Sequence, residues 1–337
     1  MGPIALAKSR YLPIRNRCLT FVLLCELALA GCAHKPPDIR TIRANNDREI
    51  QSLLDLPTPD HLAAASVVEV RASVLEGRLE REVKTDPSMK LIERAEALAP
   101  LQPDLVWLQL AHCRRLQCDA SMQIEDHLKT IDPGNGFVWL SDLERAQASG
   151  SQAAVNEAIL RIGSSSRMTF YLNELEVMLV DALAAGEPSE SLVTRGGEAI
   201  GLLAATAIPP LQPMSKACQL EQFDVPGRRA ACESMFARME HSSSVLTQSL
   251  ALSVQRRWWP AGSAQREALL NKHRRLDYLM TVSSRVRLWH MNRDMAVRLD
   301  AARRTEREED VEIAIVKSFG LSTDPPADWK DPYDSRQ

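Results

Sequence analysis

The sequence predicts an all-α fold, on three observations. Apolar residues recur at helical spacing through most of the chain, and Pro, Gly and Asp-Pro breaks divide that pattern into helix-sized segments. No run of alternating apolar and polar residues is long enough for a useful strand. The composition, 45% hydrophobic and 25% charged, is that of a globular chain and excludes disorder throughout.

Taken in order, Asp47 to Leu56 forms a first helix, ended by Pro57-Thr58-Pro59. Asp60 caps a long helix from His61 to about Val83, with Leu62, Val67, Val70, Val74 and Leu79 turned inward. Asp86-Pro87-Ser88 starts a helix to about Leu98. Pro103-Asp104 opens a helix carrying Val106-Trp107-Leu108, and the stretch Cys113 to Asp119 turns it into a second one ending near Ile131. Asp132-Pro133-Gly134-Asn135 opens another helix with Val138-Trp139-Leu140, which Gly150-Ser151 turns into Gln152 to Ile162.

Trp107 and Trp139, 32 residues apart, each head a helix–turn–helix pair. With Asp132-Pro133, Ala146, Gly150, Ala154 and Ala158, residues 87 to 165 resemble a tetratricopeptide array. The period falls two short of that family's repeat of about 34 residues, and its Leu-Gly pair is missing. The resemblance implies antiparallel helix pairs stacked as an α-solenoid, because one pair cannot bury its apolar face alone.

Beyond it, Thr169 to Ala185 is a strongly apolar helix with Phe170, Leu172, Leu175, Met178, Leu179 and Leu183. Another runs from Glu187-Pro188-Ser189 through Leu203, and Pro209-Pro210 sets a soft boundary. Helices then follow at Met214 to Gln222, Pro226 to His241 and Ser244 to Trp258. A long helical stretch covers Ala264 to Arg304 with a break allowed near Trp289, and a last helix covers Glu306 to Phe319. The organisation is a helical-repeat domain at 47–208, a C-terminal helical region at 209–322 and a polar tail at 323–337.

The N-terminus supplies an address. Lys8, Arg10, Arg15 and Arg17 precede an apolar run from Cys18 to Ala30, too short for a bilayer span of ~20 residues and suited to a signal peptide. Leu29-Ala30-Gly31-Cys32 resembles the lipobox of a bacterial lipoprotein precursor, although Glu26 inside the apolar run departs from the pattern. The resemblance implies lipidation of Cys32 and cleavage between Gly31 and Cys32. Several acyl chains would anchor the chain stably, where one is marginal. An ordinary secretory signal is the rival reading. Ala33, in place of an Asp, points to the outer rather than the inner membrane. Residues 32–46, with Pro36-Pro37, read as a flexible tether.

Cleavage there would change the charge from −3 to about −6 and leave four unmodified cysteines, Cys113, Cys118, Cys218 and Cys232. An even number in an oxidising compartment suggests Cys113–Cys118 and Cys218–Cys232 disulfides. Zinc held by Cys113, Cys118 and His112 or His127 is a poorer match, since no second cysteine pair accompanies them; free buried thiols stay open.

The chain shows no phosphate loop, His-Glu-x-x-His, Gly-x-Ser-x-Gly or paired Cys-x2-Cys, so no catalytic residue, metal or cofactor is expected. The triplets Ser164-Ser165-Ser166 and Ser242-Ser243-Ser244 read as helix caps. Between Gln255 and Arg304, twelve Lys or Arg face four Asp or Glu. Arg256, Arg257, Lys272, Arg274, Arg275, Arg285 and Arg287 could form a basic face toward anionic lipid or an acidic partner. The plainer reading pairs this run with Glu306, Glu308, Glu309, Asp310 and Glu312, and makes Trp258-Trp259 a core plug. The expected function is a periplasm-facing, lipid-anchored, non-enzymatic protein–protein interaction module binding an envelope protein through the 87–205 region, with no nucleic-acid role. A cell-wall hydrolase or accessory factor with a hidden Glu, and a structural lipoprotein resting its basic face on a membrane, are the alternatives.

Overall fold

The structure, a computed structural model, describes residues 39–75, 86–186, 189–289 and 291–330. The signal segment, the Gly31–Cys32 cleavage site, Leu79 and Val83 lie outside the described residues. Among the described residues the fold is all-helical: α1 (Ile39–Leu54), α2 (Pro59–Leu75), α3 (Pro87–Leu98), α4 (Pro103–Leu116), α5 (Ser121–Ile131), α6 (Leu140–Ser149), α7 (Gln152–Gly163), α8 (Leu172–Gly186), α9 (Leu192–Thr206), α10 (Gln212–Ala217), α11 (Arg228–Met239), α12 (Val245–Gln255), α13 (Ala264–Trp289), α14 (Met291–Ala302) and α15 (Glu308–Ser318). Short 3-10 turns lie at Gly136–Trp139, Leu220–Gln222 and Arg256–Trp258.

Local chemistry accounts for most boundaries. Asp86 accepts the Ser88 amide at 2.9 Å and Pro87 supplies a helix-ready φ, so α3 starts there. Ser151, Ser191 and Ser244 cap α7, α9 and α12 in the same way. Ser164 is instead the C-cap of α8's predecessor α7, not a start. The α6–α7 turn takes a left-handed conformation at Gly150 (φ 72°), where a side chain would be strained. α1 begins at Ile39, inside the stretch read as a tether. No Pro or Gly stands between Asp38 and Leu56 to stop a helix, and Asn46 is buried, accepting Arg71 at 2.7 Å.

Neighbouring helices pack as hairpins: α2 on α3, α3 on α4, α4 on α5, α6 on α7, α8 on α9. Helices distant in sequence also meet, α2 with α8, α7 with α11 and α9 with α14. A stack in which each repeat touches only its neighbours would lack these contacts. The α7–α11 approach depends on Gly163, where a Cβ would stand 2.8 Å from the Met235 nitrogen.

One apolar core runs from Leu53 to Leu299, taking in Leu62, Val67, Trp107, Phe137, Phe170, Leu179 and Phe236. It crosses Pro209-Pro210 without interruption, since Met214, Cys218, Cys232 and Trp258 belong to it. Trp258 is the plug that its place before Pro260 suggests: its indole N–H donates to the Cys218 carbonyl at 3.0 Å, with Phe223 and Phe236 edge-on at 5.3 Å. A small second cluster joins Val286, Ala301, Ala302, Val311 and Ile315 at the α13–α14–α15 corner.

Candidate functional site

Three clefts open side by side along α4–α7. The first, about 250 Å³, lies between α4 and the end of α9, against Trp107, Leu110, Arg114, Arg115 and Pro210. The next, about 420 Å³, shares Arg114 and Pro210 and continues past Cys118, Glu125, Glu144 and Arg145. The third, about 500 Å³, shares Arg145 and lies between α6 and α7 with Asp142, Ala154 and Arg161. Shared walls make them one interrupted groove, mostly within the 87–205 region where the sequence expects a contact surface and reaching beyond it at Pro210.

Its charged walls are tied together. Glu125, 5% exposed, accepts Ser141 Oγ at 2.6 Å and Arg145 Nη1 at 2.7 Å, with Arg114 at 3.3 Å. Burial alone would raise its carboxyl, but these donors and cations hold it below the usual carboxylate range. Asp142 is held down likewise by Lys129, at 2.9 Å, and Arg145. Glu144 goes the other way: burial, reinforced by the Glu125 charge, pushes it up against the pull of Arg114 and Arg145. Trp139 is half-buried at the edge of this region, its ring between Arg161 at 4.7 Å and Lys129 at 5.3 Å. It thus sits unlike Trp107, which is buried and donates to the Ala207 carbonyl at 3.0 Å. The arrangement sets cations and carboxylates around small apolar walls.

Cys113 and Cys118 are paired across the α4–α5 turn with Cα atoms 5.0 Å apart, beside a left-handed Gln117 (φ 55°). Cys218 and Cys232 pair the end of α10 with α11, Cα atoms 5.7 Å apart. His112 is fully buried, its Nδ1 2.9 Å from the Leu108 carbonyl, and burial with the Arg115 charge lowers its pKa to about 4. His127 faces Glu96 at 3.4 Å. Neither histidine joins the cysteines.

The basic run is scattered. Arg287 pairs with Glu312 at 2.7 Å and Lys272 with Glu240 at 2.5 Å. Arg275 reaches Asp324 at 3.2 Å and Glu309 at 3.8 Å, and Arg274 donates to tail carbonyls. Arg257 and Arg285 are exposed, and Arg256 is half-buried. Much of the run therefore pairs within the protein, including with the downstream acidic segment.

Compared with protein-family models, curated proteins and solved structures, the chain matches none.

Sequence reasoning misses several buried polar centres, two of which join distant segments near α8. In the first, Arg298 of α14 donates twice to Glu176 of α8 at 2.6 and 2.8 Å and once to Glu312 of α15 at 2.9 Å, all three buried. The signal was there: Glu176 interrupts the apolar face of α8 beside Leu175 and Leu179. In the second, the Asn135 side chain accepts from Thr169 and Phe137 amides at 3.1 and 3.2 Å and donates to the Thr169 carbonyl at 2.8 Å. Tyr171, held at φ 58°, donates to Asp132 beside it. Just beyond, burial and the Glu306 and Asp104 charges push Glu174 up to about 7. These centres lock helices together and lie outside the three clefts above.

Proposed function

We propose that the protein is a lipid-anchored, periplasm-facing lipoprotein whose helical body acts as a non-enzymatic protein–protein interaction module of the bacterial envelope, more specifically of its outer membrane. The observation that carries the interaction reading is the groove along α4–α7, open to solvent and walled by opposed charges. The lipobox at Leu29-Ala30-Gly31-Cys32 supports the anchor, and the pairing of all four remaining cysteines supports an oxidising compartment. The helix hairpins α3–α4, α4–α5 and α6–α7 lend support to a tetratricopeptide-like arrangement at this face.

The test is site-specific photo-crosslinking in cells from Ser149, which lines the groove, and from Arg229, on the exposed side of α11. The reading expects one discrete adduct from Ser149, weakened by Arg145→Glu, and none from Arg229. Equal adducts at both positions, or none at either, would contradict it.

One observation favours the hydrolase reading: Glu144 lines the middle cleft with a raised carboxyl, as a general acid requires. Muropeptide turnover that disappears in Glu144→Gln would establish it; turnover at background level would dismiss it.

A further inference from the structure

The described part of the segment read as a polar tail docks on the body of the protein. α15 ends at a left-handed Gly320 (φ 70°), and the chain turns back along α13. There a single guanidinium nitrogen, Arg274 Nη2, lies within donating distance of three backbone carbonyls, Pro326 at 2.8 Å, Ala327 at 3.0 Å and Trp329 at 2.8 Å, one of its two N–H groups being shared between them. The Trp329 amide closes onto the Pro326 carbonyl at 3.0 Å, which folds those carbonyls toward one point. The Trp329 ring meets Tyr278 edge-on at 5.5 Å and lies under the Arg274 cation at 5.9 Å. Asp324, held to Arg275 at 3.2 Å, sets the register.

We propose that the Arg274–Tyr278 face of α13 is a binding site for a turn-forming Pro-Pro-x-x-Trp segment of a partner protein, occupied in the free chain by its own residues 324–330. The contacts are those of a recognition site more than of a core. Asp324, Pro326, Ala327, Asp328 and Lys330 remain exposed, and Trp329 is the one large apolar group that docks. Pro325 and Pro326 fix their own φ angles and lack N–H groups that would need partners, so less ordering entropy opposes docking. Recognition rests on backbone carbonyls plus one aromatic ring, which another chain can supply. Exchange between copies is disfavoured by reach: the three residues 321–323 span about 10 Å at most, so a second copy's α13 would have to abut the end of α15.

Tethering explains why the site is filled. A short link holds the tail at an effective concentration of about 1 mM, so a site with a Kd near 0.1 mM would bind a competing segment roughly tenfold more weakly in the intact chain.

The test titrates a fluorescent peptide of residues 322–330 into the purified full chain, wild type and Trp329→Ala, with circular dichroism as the fold check. The Trp329→Ala chain should bind saturably, wild type about tenfold more weakly, and Arg274→Ala/Trp329→Ala not at all. A chain ending at Leu321 should bind as Trp329→Ala does. Equal binding by wild type and Trp329→Ala, no binding by either tail-released chain, or binding unaffected by Arg274→Ala would overturn the proposal. So would a concentration-dependent dimer of the wild type that is lost on truncation, which would assign the site to tail exchange.

Discussion

Replacing Arg298 with Met removes the cation at the centre of the α8–α14–α15 junction. Glu176, which Arg298 holds at 2.6 and 2.8 Å, and Glu312, at 2.9 Å, are both about as buried as Arg298 itself. Glu312 keeps Arg287 at 2.7 Å; Glu176 is left as an uncompensated buried carboxylate. Breaking a buried pair from one side typically costs about 3–5 kcal/mol, far more than the pair adds over an apolar replacement. At roughly 2 °C per kcal/mol for a chain of this size, Tm should fall by about 6–10 °C. Urea denaturation at pH 7.5 and at pH 4.5 tests the cause as well as the size. In the wild type, Arg287 and Arg298 overcome burial and hold Glu312 below the usual carboxylate range, so its contribution is present above that range and lost as pH falls through the lowered value. Arg298→Met lacks the Arg298 part of that Glu312 contribution, so the deficit should shrink at pH 4.5. The double variant Glu176→Gln/Arg298→Met should recover at least about 1 kcal/mol of it. A deficit under about 1 kcal/mol at pH 7.5, or one that grows toward low pH, would refute the reasoning.

Four further outcomes are expected. His112, lowered to about 4 by burial and Arg115, binds its proton less readily folded than unfolded, so stability falls as pH drops from 6.5 toward 4; His112→Gln should remove about 3 kcal/mol of that pH dependence in urea titrations. Glu174, raised to about 7 from 4.5 by burial and then by Glu306 and Asp104, makes stability fall as pH rises through that window, so Glu174→Gln should gain about 1–2 kcal/mol at pH 8, given its partial burial. Cys218→Ser opens a 14-residue loop and should lose about 3 kcal/mol, against about 2 for Cys113→Ser with its 5-residue loop, in denaturation under oxidising conditions. Cys32→Ala should move the protein from the membrane pellet to the soluble fraction, read by immunoblot.

The sequence makes the helices legible because their punctuation is local: Asp86-Pro87, Gly150-Ser151 and Ser244 act within a few residues of where they stand. The cysteine pairs were legible for the same reason, each spanning a single turn or short connection. What sequence reasoning could not see were contacts between distant segments. Arg298 and Glu176 lie 122 residues apart, so Arg298 counted only as one charge of the Gln255–Arg304 basic run when it is a buried clamp. Trp107 and Trp139 looked equivalent by spacing, yet one is buried against the α9 end and the other lies between two cations at a surface. The helix hairpins that wall the groove were legible, whereas its pattern of charge depends on which α5 and α6 side chains meet. The Arg274 clamp on the tail had no signal at all, since a guanidinium that binds backbone carbonyls leaves no charge partner in the sequence.

The central claim, an anchored module in an oxidising compartment, is tested most directly by mass spectrometry of the protein taken from membranes after alkylation without reduction. The account predicts an N-terminal peptide that begins at a lipid-modified Cys32, with Cys113, Cys118, Cys218 and Cys232 alkylated only after reductant is added. An unmodified Cys32 within a continuous peptide, or alkylation of those four cysteines before reduction, would contradict it.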